Sequence, residues 1–387
     1  MAGVRLFAAL RELAGASHVD VAGDSVEDVV QALEEKFGSR FGEIARAGTV
    51  VVDGERASFD RRLHGAEEVS LLPPVSGGSG RPRPQRVLLV VNPVARTVSR
   101  AKLDVIEKAL AADFKLDVDE TTGRGHAMEL ARDAAADGHD MVVVFSGDGT
   151  VNEAINGLAG TETAIGIIPG GATNVLARVL GIPDDPVEAT GLLIGWALEG
   201  RGRLIPVGNA GGRRFAFACG IGLDAEAMAR VDQAHAPSKE AYERAALSAV
   251  LRSALLQYAG RDPELTVRVD DRGPLDAISV LIGRSNPYTY YKRWGLKVTP
   301  RATLDGGLDV LTARRLRRRS TLRLVVQLFG SGKHVKRRDM DYVHDASLVT
   351  IEGRSGQRFP LQVDGDYLGT RERLTVTVER DALWVVA

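Results

Sequence analysis

The chain has 387 residues, 44% of them hydrophobic, and a formal net charge of −1, enough for two or three globular domains with ordinary cores. Its single cysteine, Cys219, excludes an intrachain disulfide framework and suits a reducing compartment. No apolar run approaches the ~20 residues that span a bilayer, and the first residues lack the order of a signal peptide. A cytoplasmic protein is expected, at most peripheral at the inner membrane face. The charge is unevenly spread: residues 1–78 hold 8 Lys+Arg against 13 Asp+Glu and so carry −5, which leaves +4 for the remainder.

In chain order, VRLFAAL and HVDVA read as strands, followed by a helix from Ser25 with Val26, Val29, Val30, Leu33 and Phe37 on one face. Ser25 is its expected cap, with Asp28 three residues on. TVVVDGERA reads as a hairpin turning on Asp53-Gly54, and EVSLLPP as a closing strand. This order predicts a β-grasp domain over 1–78. SGGSGRPRPQ (76–85) mixes Gly and Ser with Pro, which places a linker at 79–85. Strands and helices then alternate: RVLLVV, a helix over 99–112, FKLDVDE, the helix GHAMELARDAAADG, MVVVF, NEAINGL, AIGIIP and NVLARVLGI. Apolar strands separated by helices predict a parallel sheet covered on both faces, an α/β domain over 86–204 to which 373–387 returns. From 205 to 372 short β segments separated by turn residues predict an antiparallel sandwich, with long helices only at 224–259 and 320–338.

Three loops at the ends of the parallel strands share one chemistry. Ser146-Gly147-Asp148-Gly149-Thr150 opens a helix, Pro169-Gly170-Gly171-Ala172-Thr173-Asn174 follows the next strand, and Asn92-Pro93 follows the first. Thr121, after the second strand, adds a polar residue to the same edge. That edge is where open α/β sheets bind ligands, glycines admit a phosphate close to the backbone, and a helix N-terminus offers unpaired N–H groups. A tight strand–helix turn explains any one such loop as well, but loops of this make at consecutive strand ends point to a nucleotide site. The loops carry no lysine, so the positive charge must come from elsewhere.

VVNP, ETTGRGHA, SGDGTVNEAINGL, IGIIPGGATNVLARVLGIP, FACGIGLDA, NPYTYYKRWGLKVTPRATLDGGLDV and LQVDGDYLG, in this order, resemble the diacylglycerol and sphingosine kinase-like lipid kinases across about 86–387. The resemblance implies a two-domain fold with ATP in the cleft and a lipid hydroxyl as phosphate acceptor. Its ATP-contacting positions fall on Asn92, Thr121, Ser146, Gly147, Asp148, Gly149, Thr150, Val151, Asn152, Gly171, Ala172 and Thr173. Ser146, Arg96 and Ala172 depart from the family pattern, and Arg96 offers a cation near the loop. Mg²⁺ would supply the rest of the charge, with Asp148 the nearest carboxylate, although a turn aspartate that caps a helix explains Asp148 too.

An acceptor hydroxyl needs a base. By resemblance Asp366 of Asp364-Gly365-Asp366 holds that position, about 1.5 Å shorter in reach than the family's frequent glutamate. A plain Asp-Gly turn is the alternative. Asp305, with carbonyls of Ala302 and Gly307, lines up with a structural Mg²⁺ site of the family; an ordinary Asp-Gly turn is equally consistent. His126 has no metal-like spacing and reads as a helix N-terminal residue.

The basic stretch 314–338 flanks an apolar stripe of Leu322, Val325, Val326 and Phe329, which suits an anionic membrane surface holding the lipid substrate. Without interleaved aromatics it does not suit nucleic acid. The cluster Tyr288, Tyr290, Tyr291 and Trp294 would line the lipid cleft or an interface, and a homodimer stays open. Residues 1–78 resemble the sulfur-carrier small subunit of molybdopterin synthase, through VRLFAALRELAG and the closing LLPPVSGG. Because Ser79 follows Gly78, carrier chemistry would require cleavage there; otherwise the domain docks or regulates. The readings are therefore an ATP- and Mg²⁺-dependent lipid kinase, an NAD kinase-like enzyme, or a non-catalytic lipid-binding protein.

Overall fold

A computed structural model describes residues 2–6, 10, 13–16, 18–47, 49–53, 55–64, 67–72, 83–233, 244–245, 248–250, 252–291, 294–317, 324 and 326–387. The chain divides into two compact units, Met1–Arg81 and Pro82–Ala387. The expected cleavage point at Gly78–Ser79 and the start of the linker lie outside the described residues.

The first unit contains β1 (Ala2–Leu6), β2 (His18–Val21), α1 (Val26–Phe37), α2 (Ser39–Ala47), β3 (Thr49–Val52), β4 (Glu55–Ala57) and β5 (Glu68–Leu72). Its sheet runs β2-β1-β5-β3-β4 with β1 and β5 parallel at the centre, a β-grasp arrangement. Alternation turns Val4, Leu6, Val69 and Leu71 onto the face that α1 covers with Val26, Val29, Val30 and Leu33. The Ser25 hydroxyl accepts from the Asp28 N–H at 3.2 Å, and the Asp28 carboxylate accepts from the Asp24 N–H, so two N-terminal donors are satisfied reciprocally. Phe37 is only partly buried, contrary to expectation. Gly38 (φ +98°) ends α1, and the unforeseen α2 supplies Phe41 and Ala45 to the core instead.

In the second unit β6 (Arg86–Val91), α3 (Arg100–Asp113), β7 (Lys115–Glu120), α4 (His126–Ala136), β8 (Met141–Ser146), α5 (Asp148–Leu158), β9 (Ala164–Pro169), α6 (Val175–Val179) and α7 (Pro186–Leu198) alternate. The strands pair in parallel in the order β7-β6-β8-β9. On β8, Val142 and Val144 pack with α4 and α5, while Met141, Val143 and Phe145 pack with α3 and α7. That two-sided burial is why the strand is apolar from Met141 to Phe145. β7 is the edge strand and mostly exposed, which matches its alternating charges.

Strands β10 (Arg203–Ala210), β11 (Arg213–Phe215) and β12 (Ala218–Ile221) lead to α8 (Leu223–Gln233). They are followed by β13 (Leu265–Val269), β14 (Leu275–Ala277), β15 (Ser279–Gly283), β16 (Thr289–Tyr291), β17 (Trp294–Leu296), β18 (Leu308–Ala313), β19 (Met340–Ala346), β20 (Leu348–Gly353), β21 (Phe359–Val363), β22 (Asp366–Arg371) and β23 (Arg373–Val385). One antiparallel sheet runs β19-β18-β15-β12-β21-β22. Its partner, β14-β13-β20-β23, is continuous with the parallel sheet, because Val385 of β23 pairs with Ile165 of β9. The two faces bury Cys219, Ile221, Val280 and Val363 against Val267, Val349 and Val376.

Over the expected helix 224–259, helix is described at Leu223–Gln233 (α8), 244–245, 248–250 and 252, with a π-helical turn at Ser253–Tyr258. Residues 234–243, 246–247 and 251 lie outside the described set. In 320–338, residues 326–329 are helical, Gly332 takes φ +64°, and a separate 3-10 turn covers Lys333–Lys336. Helical continuation stops where a glycine adopts the left-handed region.

Candidate active site

The three phosphate-loop candidates meet at one edge. The Gly170 N–H donates to the Ser146 carbonyl at 2.7 Å, and the Thr97 N–H donates to the Gly170 carbonyl at 3.1 Å. The Ser146 hydroxyl donates to Thr150 Oγ1 at 2.8 Å, and the Asn92 amide donates to the same oxygen at 3.2 Å. Two glycines permit this approach. A Cβ on Gly171 would lie 2.5 Å from the Gly147 Cα, a separation no side chain tolerates. Gly147 caps α5 and, among the described residues, no side chain satisfies the first N–H groups of that helix. They form a cradle that fits phosphate oxygens. Thr121 stands beside it, its N–H on the Val91 carbonyl.

Asp148 is half-buried. Its carboxylate accepts from the Val175 N–H at 2.7 Å and from the Thr173 hydroxyl at 2.8 Å. It therefore fastens the 169–174 loop to α5 by capping the next helix, α6. Burial pushes its carboxyl above the ordinary carboxylate value, against the pull of those donors.

Across the cleft, Asp364 (φ +47°) and Gly365 (φ +88°) make the two-residue turn between β21 and β22, where Val363 pairs with Asp366. The Asp364 side chain is 3% exposed. It accepts four hydrogen bonds, from the N–H groups of Ala216 (2.8 Å), Phe217 (3.0 Å) and Ala218 (2.9 Å) and from the Asn152 amide (2.8 Å). Burial nonetheless pushes it up to about 6. So held, the turn presents Asp366 against the first loop: Asp366 Oδ1 is 3.4 Å from where a Gly149 Cβ would stand. Arg124 lies 3.4 Å from Asp366 Oδ1 and Arg213 lies 3.7 Å from Oδ2. Neither arginine was singled out from the sequence. Arg124 sits in the loop before α4 and Arg213 opens β11, segments whose proximity depends on the tertiary fold, and the only sequence signal is an arginine within a Gly-rich stretch.

A cavity of about 390 Å³ opens beside these groups. Gly149, Thr173 and Asp366 stand at its polar end, and Phe217, Met228, Leu281, Leu311 and Met340 line the rest. Within it the Tyr288 hydroxyl donates to Asp224 at 2.9 Å and the Gln362 amide to the other Asp224 oxygen at 2.6 Å, a buried polar cluster that sequence reasoning missed.

Residues 86–200 match the diacylglycerol kinase catalytic domain, and residues 218–387 match the YegS C-terminal NAD kinase beta sandwich-like domain. Residues 86–387 belong to the diacylglycerol kinase-like family. Residues 4–78 match the ThiS family. The chain is 27% identical over 292 residues to a diacylglycerol kinase of Bacillus subtilis, covering 74% of this chain and 91% of that one. It is 26% identical over 298 residues to a diacylglycerol kinase of Staphylococcus carnosus, covering 74% and 90%. A crystal structure titled as a diacylglycerol kinase from Bacillus anthracis shares the fold, with a TM-score of 0.58 at 22% identity over 79% of this chain and 98% of that one.

In this family member several expected residues take other places. Val151 is buried in the core, and Asn152 turns to Asp364 and to the Arg214 carbonyl, because the helical turn after Gly149 rotates these positions inward. Two members of the expected metal set of Asp305, Ala302 and Gly307 have other partners. Asp305 is 70% exposed in its side chain and pairs with Arg203 at 3.5 Å, and the Gly307 carbonyl accepts from Arg284. Among the described residues no three His, Cys, Asp or Glu side chains gather in one metal-holding cluster. Glu153, unassigned from sequence, accepts from the Gly125 and Ala127 N–H groups and so fixes the loop of Thr121 and Arg124. His126 opens α4, as its lack of metal-like spacing suggested.

Tyr288, Tyr290 and Tyr291 line the cavity, while Trp294 is 57% exposed. In the basic stretch Arg314 pairs with Asp341, Arg315 with Asp262 and Arg337 with Asp339; residues 318–323 and 325 lie outside the described set. No helix of the described residues is long and apolar enough to cross a membrane.

Proposed function

We propose that the chain is an ATP-dependent kinase that phosphorylates a hydroxyl of diacylglycerol or a related lipid alcohol. The observation that carries the reading is Asp366, set between the cradle at Gly149 and an apolar cavity. The nucleotide's phosphates rest on N–H groups of the 146–150 and 171–173 loops. The lipid hydroxyl enters from the cavity. As its oxygen bonds to the γ-phosphorus and the bond to the β,γ-bridging oxygen breaks, the hydroxyl proton passes to Asp366 and ADP leaves. Arg124 and Arg213, already beside Asp366, supply charge that the lysine-free loops lack. Mg²⁺ bound with ATP would neutralise further phosphate charge, with Asp148 holding it through water.

The apolar lining favours a lipid over NAD as acceptor. The basic stretch 314–338 and the exposed Trp294 and Val326 suit contact with an anionic membrane surface. The test is transfer of γ-phosphate to diacylglycerol in mixed micelles, with NAD as the parallel acceptor. Phosphorylated NAD without phosphorylated lipid would overturn the reading.

A further inference from the structure

Arg284 follows β15 and is 0% exposed, the largest fully buried side chain among the described residues. A buried guanidinium ordinarily meets a carboxylate. This one meets four main-chain carbonyl oxygens: Gly306 at 2.6 Å, Gly307 at 3.2 Å, Leu304 at 2.5 Å and Pro206 at 2.9 Å. Converging carbonyl oxygens with carboxylates behind them are the ligand chemistry of a hard divalent cation. Asp305, Asp309 and Asp364 supply that negative surrounding, and burial lowers the guanidinium to about 10, which leaves it charged at neutral pH.

We infer that Arg284 is a built-in cation for the 302–307 loop, holding the oxygens that a divalent ion would hold and making such an ion unnecessary there. An incoming ion would find the Gly307 oxygen already taken and a like charge beside it. Asp305, the one carboxylate of the expected metal set, faces solvent and Arg203 instead. The guanidinium also bridges two parts of the fold. Pro206 belongs to β10, which pairs with β23 in the sheet that continues into the parallel strands; residues 304–307 lead into β18 of the other sheet. The clamp thus fastens the loop to the seam of the sandwich, whether or not the chain phosphorylates a lipid.

The test uses the full chain, stripped of metal with EDTA, desalted and melted by calorimetry in EDTA, in Mg²⁺ and in Ca²⁺ without nucleotide. Magnesium content is measured by plasma mass spectrometry. The melting temperature is expected to be the same in all three conditions, with no stoichiometric magnesium retained, and Asp305→Asn should melt with the wild type. Arg284→Met keeps the length of the side chain but no donor; four buried carbonyls lose their partners, and melting should fall by roughly 10 °C. One magnesium held per chain would overturn the inference, as would a wild-type melt that drops in EDTA, recovers in Mg²⁺ and loses this response in Asp305→Asn. An Arg284→Met chain that melts like the wild type would overturn it too. Should that variant fail to fold, it counts with the lowered melt, and the wild-type metal content and the Asp305→Asn melt decide.

Discussion

Replacing Asp364 by alanine removes the acceptor that anchors the turn carrying Asp366. Four donors lose their partner, and three of them are main-chain N–H groups that cannot turn away. A buried donor left unpaired costs ~1–3 kcal/mol, so the lower bound for the set is about 4 kcal/mol. A domain is stable by only ~5–15 kcal/mol. With a urea slope of ~3 kcal/mol per M for a unit of this size, the unfolding midpoint should fall by more than about 1 M. Asn152→Ala removes one donor and keeps the carboxylate, so its loss should be about 1 kcal/mol. Urea titrations of both variants, followed by circular dichroism, measure the difference. An Asp364→Ala midpoint within about 0.3 M of the wild type, or equal shifts for the two variants, would show that the turn is not anchored as described.

Gly171→Ala should raise KM for ATP with little change in overall fold, because the new Cβ would sit 2.5 Å from the Gly147 Cα and force the two loops apart; nucleotide titration calorimetry checks it. Arg124→Ala combined with Arg213→Ala should weaken ATP binding about a hundredfold or more, as charge-assisted contacts to phosphate are each worth ~1.5–3 kcal/mol. The same titration reads this variant. Lipid phosphorylation should decline below about pH 6, where Asp364 takes up a proton. Because its folded value lies above the unfolded one, protonation adds stability to the folded chain as pH falls through about 6, so the urea midpoint should rise there. The turn meanwhile loses a carboxylate acceptor, and activity declines. A pH–rate profile that is flat through this region would contradict it.

The apolar runs VLLVV, MVVVF and AIGIIP announce buried parallel strands because helices cover both faces of the sheet, leaving no polar position in them. The Ser25 cap and the Asp364-Gly365 turn are equally legible, since each depends on residues a few positions apart. β19, MDYVHDA, alternates too weakly to stand out, and its place is set by pairing with β18. The helical reading of 320–338 extrapolates an apolar stripe past Gly332.

At the site, the loops follow from local chemistry, but the environment of each carboxylate does not. Asp148 and Asp305 belong to similar Asp-Gly motifs; one is half-buried and bonded to a helix start, and the other is exposed. Arg284 is hidden for the same reason. Nothing within a few residues of it tells that four carbonyls from distant segments will converge on its guanidinium.

The most direct measurement is γ-phosphate transfer from ATP to diacylglycerol in mixed micelles, with wild type and Asp366→Asn compared side by side and ATP affinity measured for both. A base positioned on the reacting hydroxyl contributes ~10²–10⁴-fold, so kcat should fall by that factor while ATP affinity and melting temperature hold. Undiminished transfer by Asp366→Asn, or no lipid phosphorylation by the wild type, would contradict the account.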